Sequence, residues 1–344
     1  MQVLILGADG FLGSHLSRQI LENTPWQVTA MDLEVRRLGA LLGHPRMHFT
    51  RGDMVARHHW VDAQVAAADV VVPLAAIATP SSYVSDPIRV FELDFEANLR
   101  VIRSCVQSGT RLVFPSSSEV YGMCTDPVFH PETSPLVLGP IQRSRWIYAS
   151  CKQLLDRIIW AYGQHEGLDF SLFRPFNWIG PGQDDDLAGR GPTARVVPQF
   201  VSDIVRGEPL RLVGGGLQRR TFTDIDDGIE ALVRIIANPA GVASGHVYNI
   251  GNPANECSIR ELAELLLDLA ADFAELRDAA SALEPEFVTA TDQYGAGYDD
   301  LDRRTPDIEA TTADLGWRPK VPLEESLRRV LAAACEEPRV TAGF

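Results

Sequence analysis

Tyr148 and Lys152 stand four residues apart in Arg145-Trp-Ile-Tyr-Ala-Ser-Cys-Lys-Gln-Leu-Leu-Asp156, a stretch that reads as helix. Residues at i and i+4 share a helix face, so a phenol and an ammonium would lie side by side. A phenol titrates near ~10, and a neighbouring cation favours its ionised form. The pair is therefore a candidate base for taking the proton of a substrate hydroxyl. Spacing alone carries little weight, because Tyr-x-x-x-Lys also arises on exposed helices by chance. A second group strengthens it. Pro115-Ser-Ser-Ser-Glu-Val-Tyr-Gly122 sets Ser117, Ser118 and Glu119 directly after Arg111 to Phe114, a run that reads as strand. The hydroxyls can orient a sugar hydroxyl, and the carboxylate can take or give a proton. The bland alternative is a Ser-rich turn that caps the next helix.

The preceding residues supply elements able to position this chemistry. Val3 to Leu6 is a short apolar run suited to a strand buried on both faces. Gly7-Ala-Asp-Gly10-Phe-Leu-Gly13 follows, and then a segment with helical spacing of apolar residues. Strand, glycine-rich turn and helix form the context that a dinucleotide fingerprint requires. Gly7, Gly10 and Gly13 permit close backbone approach, and Phe11 and Leu12 open a helix whose N-terminus can receive a pyrophosphate. Gln27 to Met31 reads as a second strand ending at Asp32. An acid there suits the adenosine ribose hydroxyls and repels a 2′-phosphate, favouring NAD over NADP. Arg36 and Arg37, close by, could serve a 2′-phosphate instead. The rhythm continues with His48 to Arg51 before Gly52-Asp53-Met54, Asp69 to Leu74 before the small Ala75 and Ala76, and a helical run from Val90 to Gln107. This alternation predicts an α/β fold with a doubly wound parallel sheet and ligands at the carboxyl ends of its strands. Residues 1–175 are expected to form the NAD-binding Rossmann domain. Residues 176–344 should form mainly a smaller substrate-binding lobe, with some segments returning to the first.

The chain of 344 residues is 45% apolar and 22% charged, ordinary for a globular protein. A net charge of −15 argues against nucleic acid or an anionic membrane as partner. Five cysteines without a Cys-x-x-Cys pair read as thiols in a reducing compartment. The first residues enter a strand at once, and no apolar run is long enough to span a bilayer, so a cytoplasmic location is expected. The eight histidines show no metal spacing, and no metal is expected.

The glycine turn, Asp32, the Ser-Ser-Ser-Glu-Val-Tyr-Gly run and Tyr148-x-x-x-Lys152 resemble the extended short-chain dehydrogenases/reductases that act on nucleotide sugars. Ala75-Ala-Ile-Ala-Thr-Pro80, Val90-Phe-Glu-Leu-Asp-Phe-Glu96, Glu119-Val-Tyr-Gly-Met-Cys124, Arg145-Trp-Ile-Tyr148, Phe173-Arg-Pro-Phe-Asn-Trp178 and Phe222-Thr-Asp224 narrow the likeness. They resemble the UDP-glucuronic acid decarboxylase domain of the bifunctional polymyxin-resistance enzyme, nearly end to end and without its formyltransferase domain. UDP-apiose/UDP-xylose synthases share the Tyr-Gly-x-Gly-Tyr-Asp-Asp element seen at 294–300. They carry a cysteine where this chain has Ala78, which counts against ring contraction.

The resemblance implies specific roles. Leu74, Ala75, Ala76, Asp53 and Met54 should line the cofactor, the acid meeting adenine. Ala78, Tyr83, Arg145, Asn177, Arg195, Arg211, Gln218 and Arg220 should hold the UDP-sugar, with an arginine of the 211–220 stretch on the diphosphate. Tyr298 and Arg304 should meet the glucuronate end, Asp300 and Asp302 orienting Arg304. Tyr148 would remove the 4-hydroxyl proton, Ser117 and Ser118 would orient that hydroxyl, and Glu119 and Arg304 would serve as acid/base partners in the decarboxylation and reprotonation. The implied product is a UDP-4-keto-pentose with carbon dioxide, or UDP-xylose if the NADH formed is used again. Epimerisation, 4,6-dehydration and a non-catalytic NAD-sensing role are the other readings. The family resemblance also implies a homodimer.

Overall fold

The computed structural model describes residues 1–183, 195–294 and 301–336. Seven parallel strands form one sheet: β1 (Gln2–Leu6), β2 (Gln27–Asp32), β3 (Met47–Arg51), β4 (Val70–Pro73), β5 (Arg111–Pro115), β6 (Phe170–Pro175) and β7 (His246–Ile250). Their spatial order is β7-β6-β5-β4-β1-β2-β3, so the winding reverses between β1 and β4. Ligands bind at such a reversal, beyond the carboxyl ends of the strands.

Alternation along the strands builds two cores from one sheet. Val3 and Ile5 of β1 face α1 (Phe11–Asn23), while Leu4 and Leu6 face α2 (Asn98–Ser108) and α3 (Ile147–Glu166) on the opposite side. A fourth helix, α4 (Ile225–Ala237), packs beside α1 although it lies past residue 175, and β7 likewise returns to the sheet edge. Gly167 ends α3 in the left-handed conformation at φ 73°, its N–H returning to the Tyr162 carbonyl.

A separate cluster joins Ile179, Val197, Phe200, Leu212, Phe222, Leu262, Leu266 and Leu327. It includes α5 (Ile259–Ala270), which begins in a capping box between Ser258 and Glu261. Its regular turns stop at Ala270. Three short strands beside it, Glu256–Ser258, Arg219–Thr221 and Arg303–Arg304, form a small sheet.

The run from Val90 to Gln107 is not one regular helix. Wider, π-type turns occupy Glu92–Ala97, between Pro87–Phe91 and α2. Asp94 and Asn98 are both wholly buried there, and each needs polar partners that a regular apolar face does not offer. Asn98 donates to the carbonyls of Leu93 and Ala75, and Asp94 accepts from the amide of Ile77. No helix of the described residues is long and apolar enough to cross a membrane.

Candidate active site

A cleft of about 620 Å³ opens at the carboxyl ends of β1, β4 and β5. Its floor is the glycine turn. Gly7 has φ +84°, and a Cβ there would lie 2.5 Å from the Ala75 nitrogen. A Cβ on Gly13 would lie 2.4 Å from the Gly7 carbonyl oxygen. Both positions therefore require glycine, for the turn and for the approach of helix to strand. Gly10 precedes α1 without a side-chain cap, and Phe11, Leu12 and Gly13 line the cleft. Uncapped amides of a first helical turn favour an anion, so the turn fits a dinucleotide pyrophosphate. Leu74 and Ala76 form the adjoining wall.

The adenosine end differs from the simplest expectation. The Asp32 carboxylate accepts from the amides of Asp9 and Leu33. Burial pushes its pKa up, against the pull of these amide hydrogen bonds. A second acid, buried Asp9, accepts from the amides of Arg36, Arg37 and Leu38 and so shapes the loop after β2. Arg37 lines the cleft, donating to the carbonyls of Asp9 and Gly182. Asp53 accepts from the amide of Val55, and Met54 packs in the core beside Met31 and Val71. The enclosed part of the cleft is lined by neither of these two, nor by Asp32 or Ala75.

Tyr148 and Lys152 project from α3 into the middle of the cleft, with the Lys152 Nζ 5.6 Å from the centre of the phenol ring. Lys152 is 1% exposed and donates to the Pro115 carbonyl at 3.0 Å. Burial pushes its pKa down, against the opposing pull of Asp94. Tyr148 is held well above the usual tyrosine range, first by burial and then by Asp94, while a hydrogen bond with Ser117 acts the other way. Burial and Asp94 both favour the neutral phenol. Tyr83 stacks on Tyr148 at 4.8 Å between centroids and 8° between planes, which fixes the ring.

Beyond Tyr148 two arginines converge on Glu119. Arg145, from the turn before α3, bonds one carboxylate oxygen, and Arg304, from the short strand Arg303–Arg304, bonds the other. Burial pushes Glu119 up, but the two guanidiniums outweigh it and hold the carboxyl at about 2. In this state Glu119 is ionised and has no proton to give. The small sheet explains how a residue 185 positions from Glu119 reaches it: Arg304 pairs in register with Arg220, so the two guanidiniums enter the cleft side by side. Asn177 sits at the same wall with φ 38°, its amide donating to the Thr221 carbonyl. A non-glycine residue in the left-handed region is a local strain of the kind that gathers at functional sites, and asparagine bears it best.

Ser117, Ser118, Ala78, Tyr83, Arg195, Arg211, Gln218 and Arg220 also line the cleft. Tyr298 and Asp300 lie outside the described residues. Asp302 uses its backbone carbonyl to receive the Arg219 amide. Two buried groups escaped the sequence reading. Asp156 accepts from Ser116 and Arg174, anchoring the floor beneath the serines; its spacing of four from Lys152 was the available signal. Asp94 is the other, concealed by an apparently regular helix.

The model of the NAD dependent epimerase/dehydratase family matches residues 3–251. The chain belongs to that family. NAD is accordingly its cofactor, and Gly7, Gly10, Gly13 and Lys152 all line the cleft. The chain is also similar to the PbgP3 protein from Burkholderia pseudomallei, with 52% identity over 96% of this chain and 95% of that one and a TM-score of 0.88. DesIV, a dTDP-glucose 4,6-dehydratase from Streptomyces venezuelae solved with NAD and TYD, is 25% identical over 98% of each chain, with a TM-score of 0.81. A UDP-glucuronic acid 4-epimerase from Bacillus cereus, solved with UDP-4-deoxy-4-fluoro-glucuronic acid and NAD, shares the fold at 22% identity over 97% of this chain and 99% of that one, with a TM-score of 0.79. Family membership makes this chain an NAD-dependent enzyme of the extended short-chain type, with relatives that act on nucleotide sugars.

Proposed function

We propose that the protein oxidises UDP-glucuronic acid at C4 with NAD and then decarboxylates it, giving a UDP-4-keto-pentose and carbon dioxide. The observation that carries this reading is the convergence of Arg145 and Arg304 on one carboxylate, next to Tyr148. Guanidinium forks suit carboxylates. A neutral C6 hydroxyl would have no use for two buried cations.

Bound NAD supplies the hydride acceptor. Ser117 and Ser118 orient the 4-hydroxyl, and Tyr148, ionised beside Lys152, takes its proton as the C4 hydrogen departs as hydride. The 4-ketone so formed is β to the C6 carboxylate. The C5–C6 bond then breaks, its electrons pass to the ketone as an enolate, and carbon dioxide leaves. C5 regains a proton from solvent, with Glu119 and Arg304 as the acid/base partners that relay it. Arg304 and Arg145 also hold the departing carboxylate, which displaces Glu119 from them. Asn177, Arg195, Arg211, Gln218 and Arg220 hold the UDP, with Arg220 on the diphosphate. The protein works as a homodimer through the α2 and α3 helices.

Reduction of the ketone by the NADH just formed would end at UDP-xylose through the same groups, so NADH that accumulates in step with product separates the two outcomes. Turnover of a panel of UDP-glucuronic acid, UDP-glucose and dTDP-glucose tests the carboxylate assignment. Only the uronate should be consumed; equal use of UDP-glucose would refute it.

Glu119→Gln is expected to slow carbon dioxide release by about 10²-fold, the lower range for a lost acid–base group, with NAD affinity unchanged. Because the free enzyme holds Glu119 ionised down to about 2, kcat/KM of the wild-type protein should show no limb from this residue in the usual carboxylate range. Such a limb, abolished in the Gln variant, would contradict the assignment.

A further inference from the structure

Besides Asp156, which Ser116 and Arg174 hold, the reaction above leaves a second carboxylate near the Tyr–Lys pair unused, Asp94. It is wholly buried, and one of its oxygens accepts from the Ile77 amide at 2.9 Å. Ile77 and Ala78 line the cleft. The other oxygen, Oδ1, has no hydrogen-bond partner among the described residues and lies 3.9 Å from the Lys152 Nζ. The ammonium is anchored elsewhere, on the Pro115 carbonyl. Asp94 thus acts on Lys152 through space and is tied to the cleft wall by a backbone amide. An ion pair with only a packing role would close that gap with a hydrogen bond, since an unsatisfied buried carboxylate oxygen is costly. The π-type turns at Glu92–Ala97 are themselves an irregularity common at functional sites.

We propose that Asp94 is a positioning residue for the base: from behind Lys152 it holds the ammonium charged and sets how much of that charge is left for Tyr148. The titratable groups that face it are Lys152, Tyr148 and Cys151 from α3 and Tyr83 from the Pro80–Ser85 helix. Burial raises Asp94 itself to about 6, against the opposing pull of Lys152 and the Ile77 amide, so it is mostly anionic at neutral pH. An anion disfavours a nearby phenolate and favours a nearby ammonium. Removing it should therefore lower the pKa of both Tyr148 and Lys152, and the pair's working range should move to lower pH. This inference rests on Tyr148 as base and not on decarboxylation.

The test is a spectroscopic titration of the NAD-loaded protein, which needs no substrate. The near-ultraviolet tyrosinate signal of Tyr148 is isolated by subtracting Tyr148→Phe in each background. Asp94→Asn keeps an acceptor for Ile77 and is expected to lower the Tyr148 midpoint by about one pH unit. Asp94→Glu should move it back toward wild type. Asp94→Ser replaces the Asn variant if that one does not fold. The same midpoint in charged and neutral variants, the same failure to titrate in both, or loss of the fold in both neutral variants would overturn the proposal. A protein that shows the shift but releases no carbon dioxide from UDP-glucuronic acid loses the decarboxylase reading and keeps this one. Carbon dioxide release with an unmoved midpoint does the reverse.

Discussion

Tyr148→Phe is expected to cut hydride transfer from the nucleotide sugar to NAD by about 10³-fold or more while leaving NAD affinity near wild type. General-base catalysis contributes roughly 10²–10⁴-fold, and here the phenol is stacked on Tyr83 and hydrogen-bonded with Ser117. Phenylalanine keeps the ring, so the stack on Tyr83 survives and Lys152 retains its bond to the Pro115 carbonyl. The loss should accordingly fall on kcat and not on cofactor binding. Single-turnover NADH formation with a parallel NAD titration separates the two. Oxidation at an undiminished rate would show that another group takes the proton.

Arg304→Met is the second large effect. Truncating one partner of a buried charge pair costs about 2–5 kcal/mol, roughly 30-fold to 5 × 10³-fold in rate if the loss is felt only in the decarboxylating step. The bulk of the side chain is kept, and the strand pairing with Arg220 is through backbone. Oxidation by Tyr148 should survive better than carbon dioxide release. Glu119 would also lose one of the two guanidiniums that hold it at about 2, so its pKa should rise and an acid limb should enter the pH profile. Carbon dioxide release at the wild-type rate would show that Arg304 does not meet the carboxylate end. An unaltered ratio of oxidation to decarboxylation would make its contribution one of general substrate binding.

The fold was legible because its signals are local. Val3 to Leu6, the three glycines and the strand-helix rhythm each lie within a short window, and the parallel sheet follows from their order. Tyr148 and Lys152 were legible for the same reason, since one helix face carries both. The site beyond them was not. Arg304 meets Glu119 only because the strands at 219–221 and 303–304 pair across the lobe, and the spacing of the two residues in the chain contains no trace of that. The family likeness, not the pattern, pointed to Arg304. Asp94 was masked because periodicity from Val90 onward suggested a regular helix, whereas the buried carboxylate and Asn98 force wider turns. Asp32 suits the ribose by its place at the end of β2, and its oxygens also accept from the amides of Asp9 and Leu33, contacts within the loop that its place in the strand does not announce.

The pairing of Lys152 with Tyr148 also acquires a different meaning. The expectation was a phenol already poised toward its ionised form. Burial favours the neutral phenol instead, and Asp94 adds to that.

The central claim is tested most directly with UDP-glucuronic acid labelled at C6. Incubated with the purified protein and NAD, it should release labelled carbon dioxide, one equivalent for each sugar oxidised. Turnover of the sugar nucleotide with the label retained in the product, as an epimerase would give, would contradict the account.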